Sequence, residues 1–174
     1  MKARNYRRTE GMPYTREEYI HGAPEPRISK YSMGTYKEDY THALELISLE
    51  ELQVRDVALE SARVSIGKAL SAKLGENYFL ELKAHPHIVL RENKMIFGAH
   101  ADRLQEGMRR AFGKPVGRAA RLEPGKPVFR VLVYENGVNA AKEALKLASK
   151  KLPKNYKIVI NELKESKSVS PLNA

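Results

Sequence analysis

The chain has 174 residues, a net charge of +10 at neutral pH and a pI near 9.7. This length suffices for one domain with a sizeable core, and the absence of cysteine excludes disulfides, Cys-ligated metals and thiol nucleophiles. No apolar run approaches the ~20 residues of a membrane span, and the N-terminus lacks the apolar core of a signal peptide, so we expect a cytoplasmic protein outside the membrane.

The positive charge is unevenly placed along the chain. Residues 31–90 are net negative, whereas residues 1–30, 91–130 and 131–174 are each net positive. Clustered cations favour a polyanionic partner such as nucleic acid. A solvated basic surface without such a partner fits the charge equally well.

Residues 1–27 predict an extended basic arm, because prolines at 13, 24 and 26 disfavour helix and few aliphatic side chains are available to bury. Interleaved arginine and tyrosine suit phosphates and unstacked bases, while the alternative is a tail that is disordered in isolation. The arm residues that we predict to bind RNA are Lys2, Arg4, Tyr6, Arg7, Arg8, Tyr14, Arg16, Tyr19 and Arg27.

The segment after the arm predicts two short strands, at 28–33 and 41–47, with a loop at 34–39 between them. Ser48 begins a capping-box sequence, S-L-E-E, and predicts a long helix that ends at Leu74 before Gly75. Charged positions on this helix, including Arg55, Asp56 and Arg63, are expected to be solvated. The apolar stripe at three- and four-residue spacing consists of Val54, Ala58, Ala62, Ile66 and Ala69.

The second half predicts further strands at 78–84, 88–91 and 127–134, the last as a central strand. A second helix is expected from 136 to 151, then a final strand around 156–160 and a short polar tail at 164–174. We therefore predict an α+β protein: one α/β sandwich domain at 28–163, with a mostly antiparallel or mixed sheet packed by two helices.

Residues 98–126 form the most basic segment, and we predict a long internal loop at 98–117 within it. Five glycines allow the backbone to approach a partner closely, and closely spaced cations next to such a backbone suit a phosphate chain. The cations of the segment are Arg103, Arg109, Arg110, Lys114, Arg118, Arg121 and Lys126.

Signals for catalysis are sparse. His85 and His87 flank a proline. Their spacing differs from the helical H-x-x-x-H spacing of many metal sites, and a packed or RNA-facing turn explains the two histidines better. The chain contains no G-x-S-x-G, P-loop or dinucleotide fingerprint. We predict no catalytic residue, no metal and no cofactor.

Four sequence motifs point to a known family. They are R-N-Y-R at 4–7, Y-I-H-G-A-P-E-P-R-I at 19–28, H-P-H at 85–87 followed by R-E-N-K-M at 91–95, and A-D-R-L-Q-E-G-M-R-R-A-F-G-K-P at 101–115. Together they resemble the large-subunit ribosomal protein L-sixteen / L-ten-e family of archaea and eukaryotes. The short segment after the last predicted strand favours the archaeal type.

The resemblance implies a non-enzymatic protein that binds large-subunit rRNA near the peptidyl transferase centre, beside the A-site and P-site tRNAs and neighbouring ribosomal proteins. It implies no membrane and no small-molecule substrate. The rRNA-binding residues beyond the arm would be His85, His87, Arg91, Lys94, Arg118, Arg121 and Lys126, and the tRNA-facing residues Arg103, Gln105, Arg109, Arg110 and Lys114. A free-standing RNA-binding or RNA-processing factor and a metal-dependent enzyme remain alternatives.

Overall fold

The computed structural model describes residues 1–3, 6–7, 9, 19–94, 97–98 and 112–163. Eight strands and two helices follow one another in these residues: β1 (Ser32–Gly34), β2 (His42–Ser48), β3 (Leu52–Arg55), α1 (Asp56–Leu74), β4 (Tyr78–Leu82), β5 (Ile88–Glu92), β6 (Lys114–Leu122), β7 (Pro127–Val133), α2 (Val138–Ser149) and β8 (Tyr156–Glu162). A short 3₁₀ turn, Glu135–Gly137, precedes α2.

The strands form two antiparallel sheets. The larger sheet has the order β1-β4-β7-β2-β8, and the smaller one has the order β3-β6-β5. Strand β7 lies at the centre of the larger sheet, which explains why nearly all of its side chains are buried and confirms the predicted central strand. All pairings in the described part of the chain are antiparallel, so the sheet is not mixed. The chain is an α+β protein.

One hydrophobic core joins both sheets to both helices. Side chains of β2, β4 and β7 alternate, so that one face of the larger sheet packs under the helices and the other face carries a small second cluster around Tyr40 and Leu132. The smaller sheet contributes Leu52, Val54 and Leu122 to the main core. Strands β4, β5 and β8 and helix α2 follow the predicted ranges closely.

The first predicted strand is wrong over most of its length. Only Ser32–Gly34 forms a strand. The Tyr31 carbonyl still accepts from the N–H of Leu82 in β4 at 2.8 Å, but Arg27 and Ser29 bond to side chains of α1. The backbone N–H of Arg27 donates to Asp56 Oδ2 at 3.0 Å, and Ser29 Oγ donates to Glu60 Oε1 at 3.0 Å. These bonds hold the segment against the start of the helix.

The predicted start of α1 at Ser48 is also wrong, because the helix begins at Asp56. Ser48 is the last residue of β2, and its hydroxyl donates to the Glu50 carbonyl at 2.7 Å within a turn. Residues Leu52–Arg55 pair with β6 as a strand. The predicted end is confirmed: Gly75 has φ 61°, and its N–H donates to the Ser71 carbonyl at 3.1 Å.

The buried face of α1 differs from the predicted stripe at its margins. Ala62 and Ile66 are fully buried as predicted, and Leu59 and Leu70 complete the face. The predicted stripe was counted from Val54, which lies in the preceding strand and not in the helix. Its outer members, Ala58 and Ala69, are therefore one position away from the buried Leu59 and Leu70. Asp56 and Arg63, which were expected to be solvated, are 1% and 5% exposed.

Strand β6 was not predicted, and it overlaps the predicted internal loop. Lys114–Leu122 pairs with both β3 and β5, so residues 114–117 belong to a central strand and the predicted loop at 98–117 is wrong there. The strand forms because Ala119, Ala120 and Leu122 are buried between its two neighbours. Residues 99–111 and the tail at 164–174 lie outside the described residues.

Candidate RNA-binding surface

The described residues of the arm lie along the smaller sheet. The backbone N–H of Gln53 donates to the Arg7 carbonyl at 3.4 Å, and Arg121 Nη2 donates to the Thr9 carbonyl at 2.6 Å. Further along, Arg118 Nε donates to the Pro24 carbonyl at 2.7 Å. We call the smaller sheet together with these arm residues the arm–sheet surface.

Arg7 also lies close to the larger sheet. Its guanidinium is near the phenol of Tyr156, the first residue of β8, and lowers the pKa of that phenol slightly. Burial has the larger effect and raises the pKa of Tyr156 to about 12. The arm thus contacts the body at β3 and β6.

Arg118 stands next to an aromatic stack. The rings of Tyr31 and His85 are 5.4 Å apart between centroids and inclined by only 6°. Burial raises the pKa of Tyr31, and the nearby positive charge of Arg118 opposes that rise. His87 is exposed, and its Nδ1 lies 3.2 Å from the His85 carbonyl. Both histidines of the H-P-H sequence are thus exposed, and the ring of His85 stacks on Tyr31.

Arg91 holds the end of the β5–β6 ladder. Its Nε and Nη2 donate to the Gly113 carbonyl at 3.2 and 2.9 Å. Gly113 has φ +71°, and a Cβ at this position would lie 2.3 Å from the carbonyl carbon of Glu92. Only glycine fits this close approach of two backbones. Arg91 thus fixes the backbone at Gly113, directly after Phe112.

Ion pairs occur on both parts of the molecule. Arg63–Glu60, Lys83–Glu81 and Arg130–Glu45 pair at 2.5, 2.6 and 3.4 Å on α1 and the larger sheet. Five cations near the arm–sheet surface have no carboxylate within ion-pairing distance among the described residues; they are Arg27, Arg55, Arg91, Lys94 and Lys114. Their charge is therefore not compensated locally.

Arg55 was missed as a functional candidate, because the sequence placed it on a solvated helix. It is the last residue of β3 and is half-buried, and one of its terminal nitrogens lies 3.6 Å from the position that a Cβ of Gly117 would occupy. Its Nε is buried and has no hydrogen-bond partner in the described part of the protein. In the sequence, the apolar residues Leu52 and Val54 alternate with polar residues. This alternation is the signal that could have identified the strand and the Arg55 side chain.

Two predicted RNA-binding residues are paired with carboxylates. Arg121 pairs with Glu51 at 2.5 Å, and Lys126 pairs with Glu123 at 2.7 Å. The Lys126 bond holds the pKa of Glu123 below its usual range. These two cations are less available to an external anion than Arg55 or Lys114.

The remaining predicted residues divide between described and undescribed parts of the chain. Lys2 and Tyr19 are exposed, and Tyr6 closes a turn through its N–H to the Ala3 carbonyl at 3.2 Å. Eight predicted residues lie outside the described residues, and their roles stay predictions: Arg4, Arg8, Tyr14, Arg16, Arg103, Gln105, Arg109 and Arg110.

The described residues offer little for other chemistry. Within residues 1–3, 6–7, 9, 19–94, 97–98 and 112–163, no three His, Asp or Glu side chains are grouped so that they could hold a metal ion. None of the helices in the same ranges is both long and apolar enough to cross a membrane.

Comparison with known proteins gives a consistent result. The family model for ribosomal protein L16p/L10e matches residues 6–159. The large ribosomal subunit protein uL16 of Staphylothermus marinus is 52% identical over 163 residues, which cover 93% of this chain and 94% of the relative. The proteins of the same description from Sulfolobus acidocaldarius and Archaeoglobus fulgidus are 52% and 48% identical, over 92% of this chain and 93% and 92% of their own lengths.

Proposed function

The chain belongs to the ribosomal protein L16p/L10e family, in its archaeal type, and is a protein of the large ribosomal subunit; from this premise we propose that its arm–sheet surface binds large-subunit rRNA. The proposal includes a position in the cytoplasmic ribosome near the peptidyl transferase centre. It also includes contact with A-site and P-site tRNA and with neighbouring ribosomal proteins. The protein would act as a structural constituent and would not catalyse peptide transfer.

One observation carries the rRNA proposal: cations without local carboxylate partners gather around the smaller sheet. Arg91 donates to a backbone carbonyl, which orients the guanidinium but leaves its positive charge in place. A phosphate chain can supply the missing negative charge, and arginine forks match phosphate oxygens well. Lysines without a carboxylate partner among the described residues also lie on α2 and β8, among them Lys142, Lys146 and Lys157. The arginines distinguish the two parts: Arg63 and Arg130 on α1 and the larger sheet are ion-paired, whereas within the described part of the chain Arg27, Arg55 and Arg91 are not.

The division of the chain follows from the same proposal. Residues 1–27 would be an rRNA-binding arm on a single domain at 28–163, and the arm's carbonyl contacts with Arg118 and Arg121 would set its path before rRNA binds. The tRNA-facing role of Arg103, Gln105, Arg109, Arg110 and Lys114 rests on the family motif at 101–115. Lys114 supports it by being exposed at the first position of β6.

Sedimentation tests the proposal. A lysate is resolved on a density gradient in high salt, and the fractions are probed for the protein. We expect it to co-sediment with large subunits. Recovery mainly at the top of the gradient would instead support a free-standing RNA-binding factor and would contradict a ribosomal location.

A further inference from the structure

Two of the four phenylalanines are almost fully exposed. Phe129 is completely buried in β7 and Phe79 is half-buried in β4, whereas Phe97 and Phe112 are 88% and 83% exposed. Both exposed rings belong to the connection between β5 and β6. A single exposed apolar side chain is common on a protein surface, so the argument for a partner rests on the fixed backbone and the charges beside one of these rings.

The backbone next to Phe112 is fixed by its neighbours. Gly113 is pressed against the backbone of Glu92 and Asn93, where a Cβ would approach within 2.3 and 2.4 Å, and the Gly113 carbonyl accepts two bonds from Arg91. Lys114 then pairs in register with Glu92. Phe112 therefore directly precedes the ladder end, at which Arg91 and the close backbone approach hold Gly113.

The charges around Phe112 indicate the kind of partner. Arg91 and Lys114 belong to this ladder end, and Lys94 follows the end of β5 by two residues; none of the three has a carboxylate partner among the described residues. The carboxylate at this end, Glu92, is paired with the N-terminal ammonium at 3.3 Å. An apolar protein surface would leave these cations desolvated and unpaired, whereas single-stranded RNA offers phosphates for the cations and base faces for the ring.

We infer that Phe112 is a stacking platform for an unpaired base of large-subunit rRNA. The inference rests on the proposed rRNA binding and adds a non-electrostatic contact to it. Because stacking needs a π face, the effect of a substitution should follow aromaticity and not hydrophobicity alone. Phe112→Leu should weaken binding to rRNA about tenfold, while Phe112→Tyr should bind nearly as the wild type does.

A fluorescence titration tests the inference directly. The chain contains no tryptophan, so Phe112→Trp introduces a single reporter at the proposed platform. We expect single-stranded polyuridylate and a large-subunit rRNA transcript to quench its emission, and an RNA duplex of equal length to leave it unchanged. Tyr36→Trp is the matched control, because Tyr36 is 62% exposed and packs by its edge against Phe79, away from β5 and β6.

The outcomes separate this inference from the proposal beneath it. In one outcome the transcript binds, and Lys114→Ala reduces the slope of log affinity against log salt by about 0.7, but the tryptophan emission of Phe112→Trp is not quenched. The stacking inference is then wrong, and rRNA binding stands. If transfer RNA saturates the signal at lower concentration than the transcript, rRNA is the wrong partner. If the transcript does not bind at all, the proposed function itself fails. Unchanged melting temperatures of all variants confirm that the fold is intact.

Discussion

Removing the Arg63 guanidinium should destabilise the protein substantially. Its Nε and Nη2 donate to the two oxygens of Glu60 at 2.8 and 2.5 Å, and Nη2 also donates to Ser29 Oγ at 2.9 Å. The side chains of Arg63 and Glu60 are 6% and 23% exposed. Arg63→Ala leaves the carboxylate of Glu60 without its charged partner and removes one of the hydrogen bonds that join Ser29 to α1.

The magnitude follows from the burial of the pair. Breaking a buried ion pair on one side costs about 3–5 kcal/mol, and partial exposure of Glu60 allows water to recover some of this, so we expect about 2–3 kcal/mol. For a chain of this size that corresponds to a fall in melting temperature of roughly 4–12 °C. Urea denaturation and thermal melts measure both quantities. Lys68→Ala, an exposed position on the same helix, should change the unfolding free energy by less than about 0.5 kcal/mol.

The pH dependence provides an independent check. Hydrogen bonds from Arg63 hold the pKa of Glu60 below its usual value of 4.5. A lowered pKa in the folded state stabilises the protein above the unfolded-state pKa, and this contribution disappears as the pH falls through the folded-state pKa. The stability gap between wild type and Arg63→Ala should therefore be full near neutrality and shrink below about pH 4.5. Equal stability of Arg63→Ala and Lys68→Ala at neutral pH would refute the reasoning.

Three further predictions concern the ladder end, the core and the motif at 101–115. Gly113→Ala should lower the unfolding free energy by about 1–3 kcal/mol in denaturation experiments. The loss should exceed that of Gly125→Ala: both positions have positive φ, but only at Gly113 would the new Cβ collide with backbone atoms. Ile66→Asp should cost several kcal/mol and could prevent folding, whereas Ile66→Val should cost about 1 kcal/mol, as thermal melts would show. Arg103→Ser should leave the melting temperature unchanged and impair subunit maturation on gradients; a sharp loss of stability with normal subunits would mean that this arginine serves the fold.

The sequence predicted the elements that carry a regular apolar period. Tyr78, Leu80 and Leu82 alternate in the sequence and bury one face of β4, and Ala141 and Leu145, four positions apart in α2, both lie in the core. These patterns suffice because the side chains themselves report which face is buried.

The smaller sheet was missed for physical reasons. Strand β3 has four residues, too short for a clear period next to a strong capping sequence, and β6 carries glycine and arginine where a buried strand usually carries branched apolar residues. Its small side chains are buried by neighbours that lie far away in the sequence. Since the candidate site is built on this sheet, sequence reasoning identified its cations but neither their positions nor Arg55.

The salt dependence of binding to a large-subunit rRNA transcript tests the central claim most directly. We expect the logarithm of the affinity to fall linearly with the logarithm of salt concentration, with a contribution of ~0.7–0.9 from each phosphate contact. Arg55→Gln should lower the slope by about one such contact, while Lys68→Ala should not change it. Stability of the Arg55 variant should be nearly unchanged, because the buried Nε has no hydrogen-bond partner to lose in the described structure. A slope near zero for the wild type would contradict rRNA binding through the arm–sheet surface.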